Sequence, residues 1–308
     1  MAGSPALASL ATSIPMPFTH LLLALTVVFI WGTNFVVIKW GLDEFPAFLF
    51  AALRFALSAL PWVFLLRRPA VPWSLLIRAG LLLGVGQFGL VYWAMRHDIS
   101  PGLASLVVQA QVFFTILMTM VINSERIRGL QIAALICATC GYALVAWYSA
   151  TDATSAITLL GFGLVMTAAF CWACTNMTMR RAGRVNMLSF TAWSSLFSVP
   201  PLLLISLIVD GPTHIMHALT HASVTGWLSA LWQGVGNTVF GFGVWGWLLA
   251  RHPAATVTPM GLLVPIFGIL SSAALLGEAL PMWKILAAAL VLGGLALNIY
   301  ASRSGGKR

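Results

Sequence analysis

Charge is what this chain has least of. Asp, Glu, Lys and Arg together make up 7% of its 308 residues, against 60% apolar ones. A soluble domain carries roughly 25% charged residues. A fold of this length cannot cover its surface with so few and stay in water, so its solvent has to be mostly lipid. The sequence also lacks the ~10-residue segments of alternating polarity that mark a membrane β-barrel; long continuous apolar runs take their place. The seven acidic residues, Asp43, Glu44, Asp98, Glu125, Asp152, Asp210 and Glu278, all fall between those runs or at their ends, and no His lies mid-run. A proton antiporter keeps a titratable group along its path. Direct proton coupling is therefore disfavoured, as is a multidrug pump built on an intramembrane carboxylate.

Residues 1–17 hold no Lys or Arg and no cleavage-like site after a short apolar core. They read as a loose tail, not a signal peptide. The net charge of +9 comes from basic residues spread over short connections, which membrane orientation explains better than a nucleic-acid partner does. Cys137-x-x-Cys140 and Cys171-x-x-Cys174 would suggest zinc in a soluble chain. Within apolar helices they read as small apolar residues. His214, His217 and His221 fall in what reads as a solvated loop. Neither a metal nor a cofactor is expected.

Apolar runs near 18–38, 47–66, 73–94, 101–122, 129–147, 158–179, 187–209, 224–249, 254–276 and 282–301 each suit a bilayer core of ~30 Å. The expected fold is thus all-α and integral to the membrane, with ten transmembrane helices. Pro46, Pro72, Pro101, Pro253 and Pro281 stand at or near helix starts, where a missing N–H costs least. Placing the N-terminus in the cytoplasm puts Arg67, Arg68, Arg78, Arg126, Arg128, Arg180, Arg181, Arg184, Arg251, Arg303, Lys307 and Arg308 inside. Only Lys39, Arg96 and Lys284 then fall outside, a bias that sets both termini inside.

The chain also repeats itself. At an offset of 153, Phe114 matches Phe267, Glu125 matches Glu278 and Gly141 matches Gly294. Phe50 and Pro61 recur as Phe190 and Pro201, Trp31 as Trp172, and Arg96-His97 as Arg251-His252. Five helices per half is an odd number, so the second half enters the membrane inverted, an arrangement typical of secondary transporters. The division is a tail at 1–17, repeats at 18–150 and 151–302, and a basic tail at 303–308.

The stretch from Trp31 through Asn34 to Lys39, the run PGLASLVVQAQVFFTI from Pro101 to Ile116, WACTN at 172–176, GVWGWLLARH at 243–252 and LLVPIFG at 262–268 resemble one family. It is the EamA branch of the drug/metabolite transporter superfamily, and within it the bacterial cysteine and O-acetylserine exporters. The likeness runs from about residue 20 to 300. It implies ten helices in two inverted repeats and efflux of small amino-acid-like metabolites across a bacterial inner membrane. Export of aromatic amino acids or of small drug-like molecules is the alternative; a membrane-embedded enzyme or a scaffold is more remote. The partners implied are a small-molecule substrate and the lipid bilayer, with the chain as monomer or homodimer. Ala279 departs from the Arg that often follows the family's glutamate, which the first half keeps as Glu125-Arg126.

Arg54 is the sharpest single feature, a cation inside an expected span. There a charge costs about 2.5–3.5 kcal/mol on insertion scales. It either offers a bidentate fork to a substrate carboxylate, or is a structural Arg that bonds backbone carbonyls or snorkels to an interface. Trp31 and Asn34 share a helix face, and Trp172 and Asn176 occupy the matching place in the second half. They are expected to line opposite walls of one cavity. Gln87, Gln233 and Asn237 are further buried amides; Gln109 and Gln111, about 200° apart on a helix, should not face one cavity together. Tyr92, Trp93, Trp245 and Trp247 read as an interfacial belt. Lys39 either attracts an anionic substrate or snorkels. Pro259 and Pro265 mark a kink or gate hinge, and Val112 in place of a proline in the fourth helix makes that gate asymmetric.

Overall fold

The computed structural model describes residues 16–123, 129–152, 156–183 and 185–304. Glu125, Arg126, Arg128, Arg184, most of the N-terminal tail and residues 305–308 lie outside them.

Among the described residues the secondary structure is helical, apart from one isolated bridge between Ile99 and Ile157. In chain order the helical stretches are α1 (Phe18–Glu44), α2 (Ala47–Val63), α3 (Trp73–His97), α4 (Pro101–Ile122) and α5 (Gly129–Thr151). There follow α6 (Leu159–Ala182), α7 (Met187–Val209), α8 (Gly211–His221), α9 (224–251), α10 (254–276) and α11 (Met282–Ser304). Eight of these are long and apolar enough to cross a bilayer. The expected spans at 47–66 and 224–249 are helical but outside that set. α2 has 17 residues, and α9 is a composite of α, π and α segments carrying Gln233 and Asn237.

In lipid every backbone group must be satisfied within the segment, which is why long apolar stretches become helices. Hydroxyls obey the same rule: Thr26 and Thr33 bond the carbonyls of Leu22 and Phe29, one turn back. Helices start where side chains replace the missing backbone partners. Thr158 accepts from Gly161 N, Asn186 from Ser189 N and Ser223 from Gly226 N. Outward-facing Leu204, Ile208 and Val121 are exposed, as lipid contact requires.

Two expectations about the ends change. The His214–His221 segment is a helix, with the His217 and His221 rings stacked 4.2 Å apart. α11 runs on to Ser304, into the expected basic tail.

Packing has an internal correspondence. α1 lies against α9 and α10, α6 lies against α3 and α4, and α5 pairs with α11 and α2 with α7. Nine-residue π-helical segments also interrupt α3 (Leu81–Gly89) and α9 (Trp232–Phe240). Each holds a Gly-Val-Gly triplet, Gly84–Gly86 and Gly234–Gly236. A Cβ on Gly84 would come within 2.3 Å of Ser198 Cβ, and one on Gly234 within 2.4 Å of Leu57 Cβ. Here the glycines serve close packing and a local π bulge at once. Gly234→Ala is expected to destabilise the fold by about 1–3 kcal/mol through overpacking. Gly163→Ala, whose Cβ meets nothing within 4 Å, should be neutral or stabilising by up to about 1 kcal/mol. Thermal unfolding of the two purified variants in one detergent checks the contrast.

The connections separate into two layers. On one, Trp193 Nε1 donates to Leu66 O at 3.1 Å, Ser189 bonds Arg67 O at 2.5 Å, and His20 Nδ1 meets His252 Nε2 at 2.7 Å. On the other, Arg96 donates to Phe45 O at 2.9 Å, Glu44 accepts from Ser223 Oγ at 2.7 Å, and Thr158 bonds Asp98 at 2.8 Å.

Candidate functional site

Arg54 sits in the first half of α2 and is 1% exposed. Its guanidinium carbon lies 3.5 Å from the centre of the Phe88 ring, a cation–π contact in a desolvated place. Nη1 donates to Tyr92 Oη and to Gln233 Oε1, both at 3.0 Å. Tyr92 donates its own hydroxyl to the same Gln233 oxygen at 2.9 Å. Gln233 Nε2 in turn donates to Asn34 Oδ1 at 2.7 Å, and Asn34 Nδ2 reaches Gln233 Oε1 at 3.2 Å. One polar network thus joins α1, α2, α3 and α9 in the middle of the bundle. Ser58, one turn on, bonds Arg54 O and Gly234 O and fixes the backbone beneath it.

A buried cation is costly unless compensated. Arg54 is bonded by neutral groups, its Nε has no partner, and among the described residues no carboxylate pairs with it. Its partners among the described residues are side chains, and its guanidinium stays inside the bundle instead of reaching a surface.

Beside the network lies a cavity of about 130 Å³. Trp31, Asn34 and Arg54 form part of its wall, with Gln87, Gln109, Trp172 and Asn237 from four further stretches. Trp31 is held by a bond from Nε1 to Asn237 O at 3.3 Å and by the rings of Phe242 and Trp245. Gln233 holds Arg54 and Asn34 from behind.

A wider cavity of about 480 Å³ adjoins it, the two sharing Gln109 and Gly261. Its wall includes Gln111, Trp245, Thr258, Asn298 and Ser302. Thr258 lies near the start of α10 and Ser302 near the end of α11, so this cavity faces the Leu66, Arg67 and His252 layer. The opposite layer is latched. Glu278, after α10, bonds Ser100 and Lys284 and accepts from Gly102 N at 3.0 Å. A depression of about 560 Å³ on that layer, walled by Lys39, Arg96 and Glu278 among others, shares no lining residue with the Arg54 cavity.

Several expectations need correction. Gln109 and Gln111 do face one cavity, the wider one. The 100° step between residues does not hold there because α4 is two helices, Pro101–Val107 and Ala110–Asn123, with Val108 and Gln109 between them. Both helices are interrupted, α4 without a proline at the break and α10 with one. α10 is broken at Thr258–Leu262, a 3₁₀ stretch with Pro259 near its start, which lies opposite the α4 break in the repeat register. Pro265 falls in the first turn of the helix that follows. Asn176 lines neither cavity; it donates to Gln111 Oε1 at 2.9 Å and Thr115 Oγ1 at 3.2 Å, gluing α6 to α4. Tyr92 is not an interfacial residue but fully buried, and Trp245 lines the wider cavity. Lys284 is buried against Glu278, and Lys39 pairs with Asp43 at 2.5 Å.

Phe88 and Tyr92 were missed. The available signal is that a buried Tyr needs a partner for its hydroxyl, and Arg54 is the charged group at the matching depth. Two of the cysteines pack between helices: Cys137 Sγ bonds Leu290 O at 3.3 Å, and Cys171 lies against Gly86, while Cys140 is exposed.

Comparison with known proteins gives a consistent answer. The sequence model described as "EamA-like transporter family" matches this chain twice, over residues 18–147 and 159–300. The chain is 40% identical to a "Probable amino-acid metabolite efflux pump" of Salmonella typhimurium over 285 residues, spanning 91% of this chain and 95% of that one. The protein of the same name in Escherichia coli is 39% identical over the same shares. A "Probable terminal-alkyne amino-acid exporter" of Streptantibioticus cattleyicolor is 27% identical over 89% of this chain and 91% of its own length. A solved crystal structure shares the fold, with a TM-score of 0.64 over 93% of this chain and 97% of that one, at 19% identity.

Proposed function

This chain belongs to the EamA-like transporter family, and we propose that it exports small amino-acid-like metabolites across the bacterial inner membrane, holding them at Arg54. The observation that carries this reading is the buried guanidinium at the wall of a cavity, bonded only by neutral side chains and with Nε free. A substrate carboxylate is the anion that site lacks. The names of the 40% and 39% identical relatives point the same way. The deep cavity of about 130 Å³ falls well below the ~300–1,000 Å³ of drug-sized sites. That supports substrates of the cysteine and O-acetylserine type over aromatic amino acids.

Ten spans in two inverted five-helix repeats account for the twofold family match, the paired π segments, the paired breaks in α4 and α10 and the reciprocal packing of α1 and α6. The substrate then sits between the halves, and broken helices flank it. The layer holding Arg67, Arg68, Arg180, Arg181 and Arg251 is cytoplasmic, with both termini. The wider cavity is the entry from that side, and alternating access closes it while the Glu278 latch opens. The described residues lining the two cavities include no Asp, Glu or His, which favours transport driven by the substrate gradient.

Proteoliposomes loaded with labelled cysteine, O-acetylserine, serine or tryptophan test the reading. The small amino acids should leave well above the empty-liposome rate, with or without a proton gradient. Retention of all four, or release of tryptophan alone, would refute it.

A further inference from the structure

Two oxygen atoms in the wall of the Arg54 cavity have no hydrogen-bond partner: Gln87 Oε1 and Asn237 Oδ1. Their residues are 2% and 4% exposed. Both follow a Gly-Val-Gly triplet, both sit within a π-helical segment, and one comes from each half of the chain. A π turn shifts the helical register and aims side chains where a regular helix would not, and such turns recur at functional sites. Buried polar atoms without partners are uncommon, and two in one cavity ask for a ligand that supplies donors.

Several nearby donors are already committed, whereas the Gln87 and Asn237 amides make no side-chain hydrogen bond among the described residues. Arg54 Nη1 serves Tyr92 and Gln233, Asn34 Nδ2 serves Gln233, and Trp31 Nε1 serves the backbone oxygen of Asn237 itself. What the cavity offers a ligand is therefore one cationic donor group and two unengaged amides, whose buried oxygens are the acceptors left without a donor. A carboxylate complements the first; a primary ammonium, with three N–H groups and no acceptor, complements the second.

We propose that Gln87 and Asn237 form an ammonium subsite that makes this transporter selective for free amino acids over deaminated or N-acylated ones. The inference rests on the reading that the Arg54 cavity holds an amino-acid-like substrate, and adds where its nitrogen goes. An N-acyl group removes the positive charge and two of the three donors, and enlarges the ligand in a cavity of about 130 Å³.

The test is displacement of labelled O-acetyl-L-serine from the purified full-length protein by L-2-aminobutyrate, butyrate and N-acetyl-L-2-aminobutyrate. In the wild type the free amino acid should displace label at a concentration lower by about 30-fold or more than either analogue. Gln87→Leu and Asn237→Leu should each cut that advantage by about tenfold and leave displacement by butyrate unchanged. Gln87→Glu and Asn237→Asp, which keep an acceptor in place, should retain or increase it, and so separate a lost subsite from a lost fold. Equal displacement by all three compounds in the wild type overturns the subsite. So does a parallel loss of butyrate binding in the Leu variants, which would turn the amides toward the carboxylate. Binding that requires sodium and ignores the amine also overturns it, by making the two oxygens a cation site. A wild type that binds no amino acid at all refutes the underlying reading, and the subsite with it.

Discussion

Arg54→Gln is expected to lower amino-acid efflux by about two orders of magnitude while the protein still reaches the membrane at normal levels. Hydrogen bonds to charged groups are worth about 1.5–3 kcal/mol, and the upper end of that range corresponds to a factor of roughly 100. The loss falls on the substrate more than on the fold. Tyr92 keeps its own bond to Gln233, and Asn34 keeps its amide pair with Gln233. A glutamine at 54 removes the charge next to Phe88 without leaving a carboxylate stranded, because among the described residues no carboxylate bonds Arg54. Arg54→Lys should restore little, since an ammonium cannot hold Tyr92, Gln233 and a carboxylate in one planar fork. Efflux normalised to immunoblotted membrane protein measures the effect, and an unchanged rate would remove Arg54 from the site.

The second large effect belongs to the opposite layer. Glu278 and Lys284 form an ion pair with side chains 8% and 2% exposed. Glu278 also bonds Ser100 and accepts from Gly102 N, so one carboxylate ties the end of α10 to the starts of α4 and α11. Removing one member of a buried pair strands the other, at about 3–5 kcal/mol. Glu278→Gln or Lys284→Met alone should lower the unfolding midpoint in detergent by roughly 10 °C. The double variant leaves no stranded charge and should recover most of that loss. Single and double variants with equal midpoints would show that the pair does not hold this layer together.

The chemistry of the site was legible in the sequence because polar residues in apolar runs stand out. Arg54, Asn34, Gln87, Gln233 and Asn237 could be singled out from position alone, and the structure gathers them. What was not legible is where helices depart from a regular period. Val108 and Gln109 carry no Pro or Gly, yet α4 breaks there, which redirects Gln111. The π segments of α3 and α9 change the register of everything after them in the same way. Tyr92 was hidden for another reason. Next to Trp93 and near a helix end it fits an aromatic belt, and only the position of Arg54 across the bundle assigns it to the interior. Asn176 shows the converse: an intramembrane amide is as useful between helices as in a cavity, and sequence cannot distinguish the two.

Gly261 borders both cavities, and a Cβ added there meets nothing within 4 Å. Gly261→Cys, in a protein whose four native cysteines are replaced by Ala, places a thiol on the path between entry and Arg54. The measurement is the rate of alkylation by a membrane-impermeant maleimide in inside-out and right-side-out vesicles, with and without O-acetyl-L-serine. Substrate seated at Arg54 predicts labelling mainly from the cytoplasmic side, slowed by substrate, with that protection lost when Arg54→Gln is added. Labelling that transported substrate leaves untouched, or protection that survives Arg54→Gln, would contradict it.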